Sequence, residues 1–194
     1  MKMIKTDNFQ QLEITKTEQL RIWLAENHSQ KESIWLVTFK KSEGSHYVSR
    51  WEVLDELICF GWIDGIRRKL DDKRTMQLIS PRKAEHWART YKDRAANMIR
   101  EERMAEPGFR SIEISKENGL WDFMEDVDNL IIPEDLHEAL NKNSGAYQFF
   151  NSLNDSSKRF ALRWLKLSKT EKTRKNRIEK LFMLSKNQEK LSGS

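Results

Sequence analysis

With 194 residues, 38% hydrophobic and 34% charged, the chain is long enough to bury a real core. Its seven Trp and nine Phe exclude a disordered segment. No apolar run approaches the roughly 18 residues of a membrane-crossing helix, and Thr6 to Gln11 is polar where a signal peptide would be apolar. The single cysteine, Cys59, excludes an intramolecular disulfide, so the expected location is a reducing one, the cytoplasm. The net charge of +5 is unevenly spread. Lys158 to Lys190 holds 12 Lys/Arg against 3 Asp/Glu, whereas Asp122 to Glu138 holds seven acids and no Lys or Arg.

In chain order, Thr15-Lys16-Thr17-Glu18 reads as a capping box. It is followed by Leu20, Trp23 and Leu24 at helical spacing, so the first helix is expected over about Thr17 to Asn27. Ser33 to Lys41 reads as a strand, apolar enough to be covered on both faces, and Ser42 to His46 as a loop. Ser49-Arg50-Trp51-Glu52 is a second capping box; Val53, Leu54, Leu57 and Ile58 carry that helix to Gly61. Ile63 to Leu70 and Arg74 to Ser80 read as a hairpin turning at Asp71-Asp72-Lys73 and stopped by Pro81.

The remainder reads as helical. One helix is expected over Glu85 to Met104, with Trp87 and Tyr91 on its stripe, and the next opens at Pro107 and closes near Asn118-Gly119. Asp122 to Ile132 reads as a linker. Pro133 then begins a short helix with Leu136, Ala139 and Leu140, and Ala146, Phe149, Phe150 and Leu153 form another stripe. Asp155-Ser156-Ser157 reads as the cap of a helix bearing Ala161, Trp164 and Leu165; Ser168-Lys169-Thr170-Glu171 reads as a third box, opening a last helix with Ile178, Leu181 and Phe182 inward. Leu191 to Ser194 reads as a loose tail. The expected class is α+β: a small, mainly antiparallel sheet of about three strands in the N-terminal part, packed with a helical C-terminal part. The expected division is a domain over residues 1–121 and a helical extension over 122–194 packed on it.

Several chemistries lack their signatures. The seven glycines form no phosphate loop or dinucleotide fingerprint, and there is no nucleophile elbow. His28, His46, His86 and His137 lie far apart, so neither a metal nor a cofactor is expected. The best single candidate for chemistry is Asp64, between the corner residue Trp62 and Gly65. It reads either as an acid/base beside an aromatic or as a turn residue accepting backbone N–H groups. Cys59, with buried neighbours and no nearby His, reads as a core thiol.

Two basic clusters stand out. Around the hairpin are Arg67, Arg68, Lys69, Lys73 and Arg74, with Arg82 and Lys83 after Pro81. Arg67 and Lys69 are expected on one strand face and Arg68 on the other. The cluster is either an anion or nucleotide site, with Trp62 and Trp87 beside it, or ordinary surface charge. On the last helix, Lys172, Arg174, Lys175 and Arg177 are either a track for a nucleic-acid backbone or a solvated face.

The runs Ile34-Trp35-Leu36, Lys40-Lys41, Glu52 to Glu56 and Cys59-Phe60-Gly61-Trp62-Ile63-Asp64-Gly65 together resemble the YdeI/OmpD-associated family, also called bacteriocin-protection proteins. The likeness continues through Leu70-Asp71-Asp72, Ser80-Pro81-Arg82-Lys83, Trp87, Arg103-Met104, Pro107-Gly108 and Lys169 to Ile178. The resemblance implies a loose association with antimicrobial-peptide resistance and an outer-membrane porin, without a defined reaction. Some members are expected in the periplasm, which sits poorly with the polar N-terminus here. The sequence also departs from the family pattern: Glu85 and Ala88 stand where small serines flank the Trp, and no Asn occurs near Tyr91.

The leading expectation is a ligand- or partner-binding protein of the stress-resistance type, taking a small anion or a protein partner around Trp62, Asp64, Arg67, Arg82 and Trp87. One alternative is an enzyme using Asp64 as acid/base, with Arg67 and Arg82 steadying an anionic substrate. The other is nucleic-acid binding through Lys172, Arg174, Lys175 and Arg177.

Overall fold

The computed structural model describes residues 9–83 and 86–192. The chain folds as two compact units that divide after Asp122.

The first unit holds strand β1 (Gln11–Glu13), helix α1 (Thr17–Asn27), strand β2 (Ile34–Phe39), a 3₁₀ segment (Lys41–His46), α2 (Arg50–Cys59), β3 (Trp62–Lys69), β4 (Arg74–Pro81), α3 (Arg89–Arg100) and α4 (Glu106–Glu117). The class is α+β, with four strands rather than three among the described residues, in the order β1-β2-β4-β3. The additional strand, β1, runs parallel to β2, so the sheet is mixed. The other pairings are antiparallel. β2 is buried along five of its six residues, as its apolar run predicts. The β3–β4 hairpin turns at Asp71, whose carboxylate accepts from the backbone N–H of Lys73 and Arg74 and from the Arg74 side chain.

The helix caps follow local chemistry, with shifts from the expected positions. At α2 the Ser49–Glu52 box forms in both directions, an arrangement worth about 1 kcal/mol per cap. At α1 the N-cap is Lys16, and Gln19, not Glu18, reaches back to the N–H of Thr15 and Lys16. Gln19, not Glu18, sits at the third helical position, where that reach is geometrically possible. α3 begins at Arg89, so Trp87 lies ahead of the helix instead of on its stripe. The expected start at Glu85 lies outside the described residues.

The core of this unit packs Leu20 and Leu24 of α1, Leu36 of β2, Val53 and Leu57 of α2, Trp62 of β3 and Ile79 of β4 into one cluster. A second cluster gathers Leu54, Ile58, Trp87, Ala95 and Ile112.

The second unit contains α5 (Glu125–Asp128), α6 (Glu134–Asn141), α7 (Ser144–Ser152), α8 (Asp155–Lys166) and α9 (Glu171–Lys186). Its core holds Leu136, Leu140, Phe150, Ala161, Leu165 and Leu181. The acidic stretch expected as a bare linker instead contributes Met124 and Val127 to this core. The apolar residues, spaced three apart, override the surrounding carboxylates. Asn154, one residue before the expected cap, accepts from Ser157 N–H at the start of α8. α9 is capped by Thr170, which accepts from Thr173 N–H, while Ser168 instead donates to the Leu165 carbonyl. Gly193 and Ser194 of the expected tail lie outside the described residues. Among the described residues no helix is long and apolar enough to cross a membrane.

Candidate functional site

The corner between α2 and β3 is built on close backbone approach. Gly61 has φ of +69°, a conformation L side chains rarely adopt, and a Cβ there would stand 2.9 Å from the Pro107 carbonyl oxygen. On the opposing helix, a Cβ on Gly108 would stand 2.4 Å from the Cys59 carbonyl oxygen. The two glycines therefore let α4 ride directly on the end of α2, where Ala105 N–H donates to the Cys59 carbonyl at 3.1 Å. β4 joins the corner through Arg82 N–H, which donates to the Gly61 carbonyl at 2.9 Å.

Between these pieces lies a cavity of about 340 Å³. Phe60, Pro81, Pro107 and Ile114 supply apolar wall; Arg82, Lys83 and Arg110 supply positive charge, and Glu106 one carboxylate. The Ser111 hydroxyl lines it too, near the point where Gly61 meets α4.

The residues singled out from the sequence divide into two groups. Arg82, Trp87 and Asp64 are drawn together through Tyr91, which the sequence reading did not assign to the site. The Arg82 guanidinium lies 3.9 Å from the Trp87 ring centroid and 5.3 Å from that of Tyr91, and one of its nitrogens donates to the His86 carbonyl at 3.1 Å. Trp87 is 1% exposed, and its indole N–H donates to Ser115 Oγ at 2.7 Å. The Tyr91 hydroxyl donates to one Asp64 oxygen, and Gln77 donates to the other at 3.1 Å. Asp64 thus holds side chains on a strand instead of capping turn amides.

Trp62 and Arg67 stand outside this group. Trp62 is 1% exposed, packs edge-on against Trp23 at 5.4 Å and donates to the His28 carbonyl at 3.1 Å. Arg67 follows an irregularity in the β3–β4 register after Asp64 and bonds Thr75 and Thr38 across the sheet. Cys59 is fully buried, and burial, with Glu56 adding to it, pushes its thiol up to about 11.

A second cavity, of about 380 Å³, is lined by Thr17, Glu18, Arg21, Glu52, Asp55, Glu56 and Arg103. Here charge is answered inside the protein. Glu56, with a side chain 1% exposed, accepts from Arg21 at 2.8 Å and from Arg103. Arg21 also donates to the Arg103 carbonyl at 2.8 Å, and Asp55 is paired with Arg94 at 2.5 Å. The Ser49 hydroxyl and backbone N–H hold the Glu52 carboxyl below its ordinary value.

In the second unit, Arg174 grips Asp135 with two hydrogen bonds, at 2.5 and 2.8 Å. The pairing holds the Asp135 carboxyl below its ordinary value. Arg177 donates to the Trp164 carbonyl and lies 4.7 Å from its ring centroid. Lys172 and Lys175 are exposed.

Fold and sites describe an α+β protein with a helix-backed mixed sheet followed by a helical unit. Residues 12–111, just over half of the chain, match the family model of the Domain of unknown function (DUF8412), and the chain belongs to that family. Residues 129–187 match the model described as Bacteriocin-protection, YdeI or OmpD-Associated, so the resemblance expected from the sequence is found over that part of the chain. Of the stretches that carried the resemblance, Lys169 to Ile178 lies within this match and the others lie within 12–111. No curated protein and no solved structure matches the chain.

Proposed function

We propose that the protein binds a small anion in the cavity between the α2–β3 corner, the end of β4 and α4. The supporting observation is the lining: Arg82, Lys83 and Arg110 face one carboxylate, Glu106, among the described residues around about 340 Å³. Arginine and lysine together offer directional donors and a mobile point charge. The Trp87 and Tyr91 rings against Arg82, with Asp64 behind Tyr91, serve in this reading to orient one cation. Trp62 and Arg67 are structural in it. The acid/base reading of Asp64 has less support, because Asp64 is not on the lining of this cavity. The nucleic-acid reading also has less, because Arg174 and Arg177 already have protein partners.

A role in stress or antimicrobial-peptide resistance is supported by the description of the model matching residues 129–187. A reducing, cytoplasmic setting is supported by the one cysteine being a buried thiol. The test is a thermal-shift series with inorganic phosphate, sulfate and small carboxylates on the wild type and on Lys83→Ser/Arg110→Ser. A ligand that prefers the folded state raises Tm. The expected result is a rise in the wild type that the double variant loses; an equal rise in both sinks the reading.

A further inference from the structure

We infer that the ligand of this cavity is a small carboxylate carrying an apolar body, a class exemplified by an arylacetate. The inference rests on the anion-binding reading above and narrows it. At about 340 Å³ the cavity sits at the small end of ligand pockets, roughly 300–1,000 Å³. A bare phosphate or acetate does not fill that space.

Its walls are chemically divided. Phe60, Pro81, Pro107 and Ile114 present carbon, and Ile114 is 46% exposed on its helix with no core to join. The cations come from the β4 end and α4. A ligand matching both walls has one charged end and one apolar end. Such a ligand gains from the apolar surface it buries in addition to the charge interaction.

The charged end is a carboxylate rather than a phosphate ester because of the backbone. A phosphate ester is commonly held in part by amides at a helix N-terminus. At the start of α4 few amides are left for a phosphate: Pro107 has none, Ala105 N–H donates to the Cys59 carbonyl, and Gly108 and Phe109 N–H both donate to the Ala105 carbonyl, at 3.0 and 3.2 Å. Charge recognition is left to Arg82, Lys83 and Arg110, whose fork and ammonium donors suit a two-oxygen anion. The Ser111 hydroxyl, which has no protein hydrogen-bond partner among the described residues, supplies a further donor at the cavity.

The experiment is a calorimetric titration of the full chain with phenylacetate, acetate, phenyl phosphate and 2-phenylethanol, repeated on Ile114→Ser and on Lys83→Ser/Arg110→Ser. Circular dichroism verifies that both variants fold. Phenylacetate is expected to bind at least about tenfold tighter than acetate and than uncharged 2-phenylethanol. Ile114→Ser is expected to weaken phenylacetate several-fold and leave acetate unchanged. If phenylacetate and acetate bind alike and both are lost in the double variant, the anion site stands and the apolar-body inference falls. If phenyl phosphate binds tighter than phenylacetate, the carboxylate class falls while the anion site again stands. If no anion binds, both readings fall.

Discussion

Two of the cavities in the first unit are similar in size and opposite in design. Around the Arg21–Glu56–Arg103 cluster, cations and anions are interleaved, and most of the charge is neutralised by a named protein partner. Around Arg82, Lys83 and Arg110, cations outnumber acids among the described residues of the lining and stand beside exposed carbon. The difference teaches that a charged lining is a binding feature only to the extent that the protein has not already neutralised it. The first arrangement ties α1, α2 and the segment ahead of α4 together; the second sets Arg82, Lys83 and Arg110 around a cavity whose described lining carries one carboxylate, Glu106.

The contrast is sharpest at Glu56. Replacing it with Ala removes the buried carboxylate that two guanidiniums share, leaving Arg21 its bond to the Arg103 carbonyl and Arg103 its pairing with Glu101; their side chains are 37% and 40% exposed. Breaking a buried ion pair by removing one partner costs about 3–5 kcal/mol, so Glu56→Ala is expected to lose about 3 kcal/mol in urea unfolding, the low end because the arginines reach water.

Cys59 borders both regions, its thiol feeling Glu56 and its carbonyl facing Gly108. Its folded thiol titrates at about 11, above the ordinary 9.0. A raised value favours the neutral thiol in the folded state. This contribution to stability is therefore complete below about pH 9 and is lost as pH rises toward about 11. The loss amounts to about 3 kcal/mol, and Cys59→Ala should flatten that part of the pH–stability curve; an unchanged slope would assign it to other groups.

Gly108→Ala forces α4 off the Cys59 carbonyl and is expected to cost roughly 2 kcal/mol, the usual scale of overpacking. It should also disturb anion binding, since α4 carries Arg110 and Ile114. The smallest effect closes the comparison. Lys83→Ser/Arg110→Ser removes exposed side chains and is expected to change stability by less than about 0.5 kcal/mol, in contrast to Glu56→Ala.

Local signals were the most legible part of the sequence. The Ser49–Glu52 box, the apolar run of β2 and the Asp71 turn each depend on residues within a few positions, and each formed as read. β1 was not legible because three residues are too short to show alternation; its identity depends on pairing with Trp35 to Val37. The candidate site was legible in part. Arg82 and Trp87 are five apart and meet directly, but Asp64 joins them through Tyr91, 27 residues on. Charge patterning shows the same dependence on distant residues: Arg174 of the basic last helix finds its carboxylate at Asp135 in the acidic stretch, 39 residues away.

The sheet order also bears on behaviour at high concentration. Its outer strands are β1 and β3. β1 is three residues long, too short to template a neighbouring chain. β3 has an irregular register between Asp64 and Arg67 and ends in Arg67-Arg68-Lys69. Bulges and like charges on an edge disfavour the addition of an identical strand, which would bring the same cations together. The basic hairpin that first suggests a ligand site thus has a second use: it guards the open side of the sheet against aggregation.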